Sequence, residues 1–182
     1  MSFMKAGRLF QASLLLVSAL ALAACGFHLR ENASLPPSMQ RIHLTVSGGG
    51  AFERMLSRSL QVSGVKVEDE SGPGIAELHV TTAAFSTETL SASGYVRINE
   101  FAVRYHVEFN VTDQGGTALV PLQSISMQRE YSYDATDTVG NASQVEEIEQ
   151  SLNSDMVQAI LFRLEAAGKH GLAVPASAAS TH

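Results

Sequence analysis

The side chains best equipped for chemistry in this chain are one cysteine, six histidines and a scatter of carboxylates. Cys25, within LAACGFHLRE, could be a nucleophile, a metal ligand, a disulfide partner, a core residue or an attachment point. As the single cysteine it cannot build an intramolecular disulfide or a CxxC zinc or redox motif. The histidines (His28, His43, His79, His106, His170 and His182) form no HExxH or comparable pair, so no metal site is expected. SGGG ahead of AFERM invites a phosphate-binding reading. It lacks both GxGxxG spacing and a GK followed by Ser or Thr, and reads as a flexible turn. There is no GxSxG elbow. Glu146, Glu147 and Glu149 fall in the first turns of an expected helix, where they form a solvated end favoured by the helix dipole. Arg104, His106 and Glu108 share the polar face of a strand, either as surface charge or as contacts for a ligand or partner. No catalytic constellation stands out.

The flanks of Cys25 narrow its role. MSFMKAGR carries two positive charges and no acid, and LFQASLLLVSALALAA follows with 16 uncharged residues. That is short of the about 20 needed to span a membrane as a helix. A basic head, an apolar middle and small residues at the end are the parts of a secretory signal, here residues 1–24. Leu22, Ala23, Ala24 and Cys25 match the bacterial lipobox. That match implies diacylglyceryl transfer to the thiol, cleavage before the modified cysteine, and N-acylation of the new amine (palmitate is the typical chain). Each buried CH₂ contributes about 0.8 kcal/mol and two chains already anchor a protein stably. A catalytic cysteine would need a base and an ordered pocket, and no domain has begun here. Gly26 stands where an Asp would retain such a lipoprotein in the inner membrane. By resemblance to that sorting rule, the chain is expected on the outer membrane, facing the periplasm.

Hydrophobic residues make up 45% of the chain and charged residues 16%, a balance that supports a packed core. The net charge is -6, and without the signal ten basic residues face 18 acidic ones. With no Lys/Arg cluster, the acidic chain is a poor candidate for nucleic acid, and no such partner is expected.

Residues 25–40, with Pro36-Pro37, read as the lipidated N-terminus and a tether. RIHLTV alternates Ile42, Leu44 and Val46 with Arg41, His43 and Thr45, the period of a strand. AFERMLSRSLQVSG places Phe52, Met55, Leu56 and Leu60 on one helical face and ends at Gly64. A short strand piece is possible at VKVED. In IAELHVTTAAFSTETL, Leu78 and Val80 set the register and Ala84 shares it, while Phe85 falls out of phase. EFAVRYHVEFNVTD alternates six times: Phe101, Val103, Tyr105, Val107, Phe109 and Val111 against Glu100, Ala102, Arg104, His106, Glu108 and Asn110. After the turn DQGGT, Ile125, Met127, Tyr131 and Tyr133 share a side that Arg129 interrupts, and Pro121 sits at an edge position. The last helix is expected to start at a Ser143–Glu146 capping box. It carries Val145, Ile148, Leu152, Met156, Ala159, Ile160 and Leu164 and closes at Gly168, leaving a flexible tail, 169–182. The expected fold is α+β over residues 41–168: two helices on one face of a four-stranded mixed sheet, in the order β-α-β-β-β-α, with the other face polar and uncovered.

A lipobox running into CGFHLR, a Pro-containing tether and this element order resemble the LPS-assembly lipoprotein family, LptE. Cys25 to Arg30 is the most specific part. The segment from Met39 to the Gly64-Val65 step and the strand entered at Glu100-Phe101 match the family's layout. The resemblance implies a non-enzymatic protein without cofactors other than the lipid on Cys25. It would plug and assist assembly of the LPS-transport β-barrel, LptD, and bind LPS on its way to the cell surface. LPS is anionic, so its contacts should be Arg or Lys. Of the two regions linked to LPS in the family, the loop between the second and third strands offers Arg97, and DTVGNAS before the last helix offers no base. Arg104 is a further candidate from exposure. Two other classes stay open from the residues: an independent periplasm-facing lipoprotein that binds lipid or peptidoglycan, and a hydrolase using His106 and Glu108.

Overall fold

The computed structural model describes residues 35–48, 50–91, 98–134 and 136–170. After a 3-10 turn at Pro37–Met39 come β1 (Arg41–Val46), α1 (Gly50–Val62), β2 (Lys66–Glu68), β3 (Ala76–Ser91), β4 (Ile98–Thr112), β5 (Ala118–Asp134) and α2 (Thr138–His170). The sheet order is β2-β1-β3-β4-β5. β1 is parallel to β2 and β3, and β3, β4 and β5 are antiparallel in sequence. The sheet therefore has five strands, not four: VKVED does pair, as a three-residue edge strand against Arg41–His43. So short a strand carries almost no periodicity of its own, and its pairing depends on the neighbour that the α1 crossover brings alongside.

Both helices pack on one sheet face. β4 delivers Val103, Tyr105, Val107, Phe109 and Val111 to that face, each at most 1% exposed. Phe52, Leu56 and Leu60 of α1 close over them, with the Phe52 ring edge-on to Tyr105 at 5.6 Å. α1 ends in a Schellman motif: Val65 N–H donates to Leu60 O (3.0 Å) and Gly64 N–H to Gln61 O (3.0 Å), with Gly64 at φ +86°.

The odd phase of Phe85 has a local cause. Val80 pairs with Phe109 and Thr82 with Glu108, so Thr81 is an extra residue, a β-bulge. Parity flips there. Leu78 and Val80 face the core before the bulge, and Ala83 and Phe85 do so after it. Phe85 then stacks on Tyr105 at 4.0 Å. A comparable shift on β5 surrounds Pro121, since Phe109 pairs with Gln123 but Val111 with Val120. A proline without an N–H fits an edge strand at an irregularity.

α2 begins earlier and ends later than its local signals suggest. Its N-terminus is capped by Asp137, whose Oδ1 accepts the Gly140 N–H (2.9 Å), rather than by Ser143. Glu146, Glu147 and Glu149 accordingly lie in the third turn and beyond, where the helix dipole has little effect. Gly168 lies inside the helix, which runs to His170. The buried stripe also takes in Val157, Leu161 and Ala167, because α2 packs on α1 as well as on the sheet. The core reaches back to Leu35 and Met39, 4% and 2% exposed, within the span expected as tether.

Candidate functional site

Among the described residues, the second face of the sheet carries no helix. Its side chains come from alternate strand positions, and register decides which of them meet. At the β2 edge, Arg41 and Lys66 both pair with Glu68, at 2.7 and 3.0 Å. The hydrogen bond from Arg41, then that from Lys66, holds the Glu68 carboxyl below its usual range. On β1 and β3, His43 Nδ1 lies 2.9 Å from Glu77 Oε2, with His79 3.9 Å away on the other side. Where Thr82 follows the bulge, its hydroxyl donates to Glu108 Oε2 at 3.2 Å. Glu108 also faces His106 at 3.6 Å, and His106 Nδ1 meets Ser126 Oγ at 2.8 Å.

Arg104 completes this surface. Its Nη2 donates to Glu88 Oε2 (2.9 Å) and to Gln128 Oε1 (3.3 Å), and its side chain is 41% exposed. Cross-strand register accounts for both contacts, because Arg104 is opposite Ser86 on β3 and Gln128 on β5. The other two residues singled out from the sequence, Cys25 and Arg97, lie outside the described residues.

Arg104, His106 and Glu108, which the alternation of β4 groups on one face, do stand side by side on the sheet. Ser126, Thr82, Glu88 and Gln128 carry no such signal, since each comes from a neighbouring strand. Ser126, His106 and Glu108 have the connectivity of hydroxyl, imidazole and carboxylate. A working triad also depends on donors aimed at an oxyanion and on exclusion of water. Here the imidazole and carboxylate side chains are 37% and 36% exposed on an open sheet, and the carboxylate is shared with Thr82. What this arrangement does is satisfy polar groups across three strands.

On the helix side two further arginines find partners. Arg129 pairs with Asp155 of α2 at 2.7 Å, which explains how a cation interrupts the apolar row of β5. Arg163 donates to Gln123 Oε1 (3.2 Å) and Ser124 O (3.0 Å), and burial pushes its guanidinium below the usual range. An open cleft of about 490 Å³ lies where the chain enters the domain, between Pro37, Ser38, Ile75, Asp113 and Leu119. Among the described residues no group of three or more His, Cys, Asp or Glu is placed to hold a metal ion.

Comparison with known proteins gives this surface its context. The structure resembles lipoprotein B from Nitrosomonas europaea, with 26% identity, a TM-score of 0.68, and cover of 80% of this chain and 94% of that one. A minor lipoprotein from Acinetobacter baumannii is similar at 19% identity and a TM-score of 0.60, covering 70% and 92% of the two chains. The rare lipoprotein B from Shewanella oneidensis is similar at 21% identity and a TM-score of 0.60, covering 69% and 94%. These last two speak for the fold alone. No curated protein matches significantly. The LptE family, described as lipopolysaccharide-assembly, matches residues 39–164. That span runs from the last residue of the 3-10 turn to the buried Leu164 of α2 and takes in every strand, so the chain belongs to the LptE family of lipopolysaccharide assembly.

Proposed function

We propose that the chain is an outer-membrane lipoprotein, held by lipid on Cys25 and facing the periplasm. In this reading it plugs and assists assembly of the LPS-transport β-barrel of the LptD type and binds LPS during its passage to the cell surface. Membership of the LPS-assembly family supports the process. The observation that carries the plug reading is the sheet face that neither described helix covers. It is polar, and its charged groups are largely matched with one another: Arg41 and Lys66 with Glu68, His43 with Glu77, Arg104 with Glu88. Barrel lumens are polar, and a surface whose charges are already paired loses less on leaving bulk water than one with isolated ions.

In this reading Arg104, on the sheet face, and Arg97 contact LPS. Arg104 would have to exchange Glu88 for an LPS phosphate, a swap of one charge-assisted hydrogen bond for another. The deciding experiment is purification of the lipidated chain in mild detergent, with identification of what accompanies it. A large barrel protein in stoichiometric amount is expected. Recovery of a free monomer that binds lipid or peptidoglycan unaided would replace the plug with an independent binding module. A Cys25→Ala variant tests the anchor: without its barrel partner it should leave the membrane fraction.

A further inference from the structure

Among the residues whose side chains are described, five of the seven lysines and arginines have a partner. Arg41 and Lys66 pair with Glu68, Arg104 with Glu88 and Arg129 with Asp155. Arg163 donates to an amide and a carbonyl. Arg54 and Arg58 differ. Both are exposed on α1, and neither makes an ion pair or side-chain hydrogen bond with a described residue. They are four residues apart, so the helix sets them one above the other, with Cβ atoms about 5–6 Å apart. Val62, four residues further on, continues the same row and is 72% exposed. The opposite face of the helix, Phe52, Leu56 and Leu60, is locked in the core, each at most 5% exposed. The row is thus rigidly mounted.

Two like charges at this spacing repel, and the repulsion is left standing in a chain whose net charge is -6. An anion placed between them relieves it, and guanidinium groups match phosphate geometry with paired N–H donors. The exposed Val62 offers apolar contact at one end of the row. We propose that Arg54, Arg58 and Val62 form a docking row for the phosphate-bearing headgroup of a glycolipid, LPS itself, on the helix side of the domain and apart from the sheet face. The inference rests on the reading of this chain as LPS-binding, and it adds a site that the Arg97 and Arg104 assignments do not include.

The test uses the full lipidated chain in mild detergent and fluorescently labelled, purified LPS. The double variant Arg54→Gln/Arg58→Gln should bind at least tenfold more weakly, with a shallower dependence on salt, and Val62→Ser a few-fold more weakly. Arg54→Lys/Arg58→Lys should recover part of the loss. Arg129→Gln, whose arginine is already paired on another element, should bind as the parent does. Dephosphorylated LPS should bind parent and double variant equally weakly. A double variant with parental affinity overturns this site and leaves the proposed function standing. A parent that binds no LPS overturns both. Vesicles of phosphatidylglycerol that displace LPS at equal lipid concentration would make the row a general headgroup contact and overturn the assignment to LPS.

Discussion

Gly168 gives up its side-chain space to Pro36: a Cβ on Gly168 would stand 2.6 Å from Cδ and 2.8 Å from Cγ of the proline ring. The contact fastens the incoming chain to the last turns of α2, beside the buried Leu35 and Met39. Gly168→Ala should therefore cost about 1–3 kcal/mol, the range for overpacking a close contact. In a Pro36→Gly background all three ring carbons are gone, including the Cβ at 3.1 Å, and the better helix propensity of alanine remains, so the same change should gain up to about 1 kcal/mol. Urea denaturation of the four variants measures the reversal of sign, and additivity would refute the contact.

Asn141 closes the junction of β5 and α2. Its Nδ2 donates to Asp134 O at 2.6 Å and its Oδ1 accepts the Asp134 N–H at 3.1 Å, as a neighbouring strand would. Asn141→Ala should lower stability by about 1–2 kcal/mol, since both strand-end groups lose their partner. Asn141→Asp should cost at least as much at neutral pH, because a carboxylate then faces a carbonyl oxygen, and should recover in acid as it protonates. Thermal melts at pH 7 and pH 4 separate the two.

Deleting Thr81 removes the extra residue and leaves Leu78, Val80, Ala83 and Phe85 in one continuous phase, with the pairing to β4 kept on both sides. The deletion should therefore be tolerated, with a change in stability of less than about 1 kcal/mol. A large drop in the urea midpoint would show that the local twist of the bulge, and not only the phase of the strand, holds Phe85 against Tyr105.

Tyr105 is 1% exposed between the rings of Phe52 and Phe85, and burial pushes its phenol well above the usual value. A folded-state pKa above the unfolded one means the native state holds the proton more tightly. The associated stability is complete below the unfolded pKa of about 10 and falls as pH rises beyond it. Tyr105→Phe should flatten the decline in stability between pH 9 and pH 11, with little change at pH 7. An identical alkaline profile would place the sensitivity elsewhere.

Much of the fold is legible locally. The strand β4 announces itself through six alternations, the end of α1 through Gly64, and the β4–β5 turn through DQGGT, because period and turn chemistry are written between residues a few positions apart. The lipobox expected at Cys25 and the sorting signal expected at Gly26 are likewise local readings, and both fall outside the described residues. Three-dimensional packing decided the rest. Phe85 is out of phase with Leu78 and Val80 in the sequence, and Thr81, an extra residue opposite a single step of β4, brings it back to the core. Gly168 has the type of a helix stop, and its place inside α2 is set by Pro36 packed against it. Arg104 gained Glu88 and Gln128, and His106 gained Ser126, only when three strands took one register. These relationships join residues far apart in the chain, and their geometry is set by the closure of the whole sheet under its two helices. Local periodicity determines which face of an element a residue occupies. Only the assembled structure determines what meets it there, and therefore which charges are satisfied and that, among the described residues, Arg54 and Arg58 are not paired.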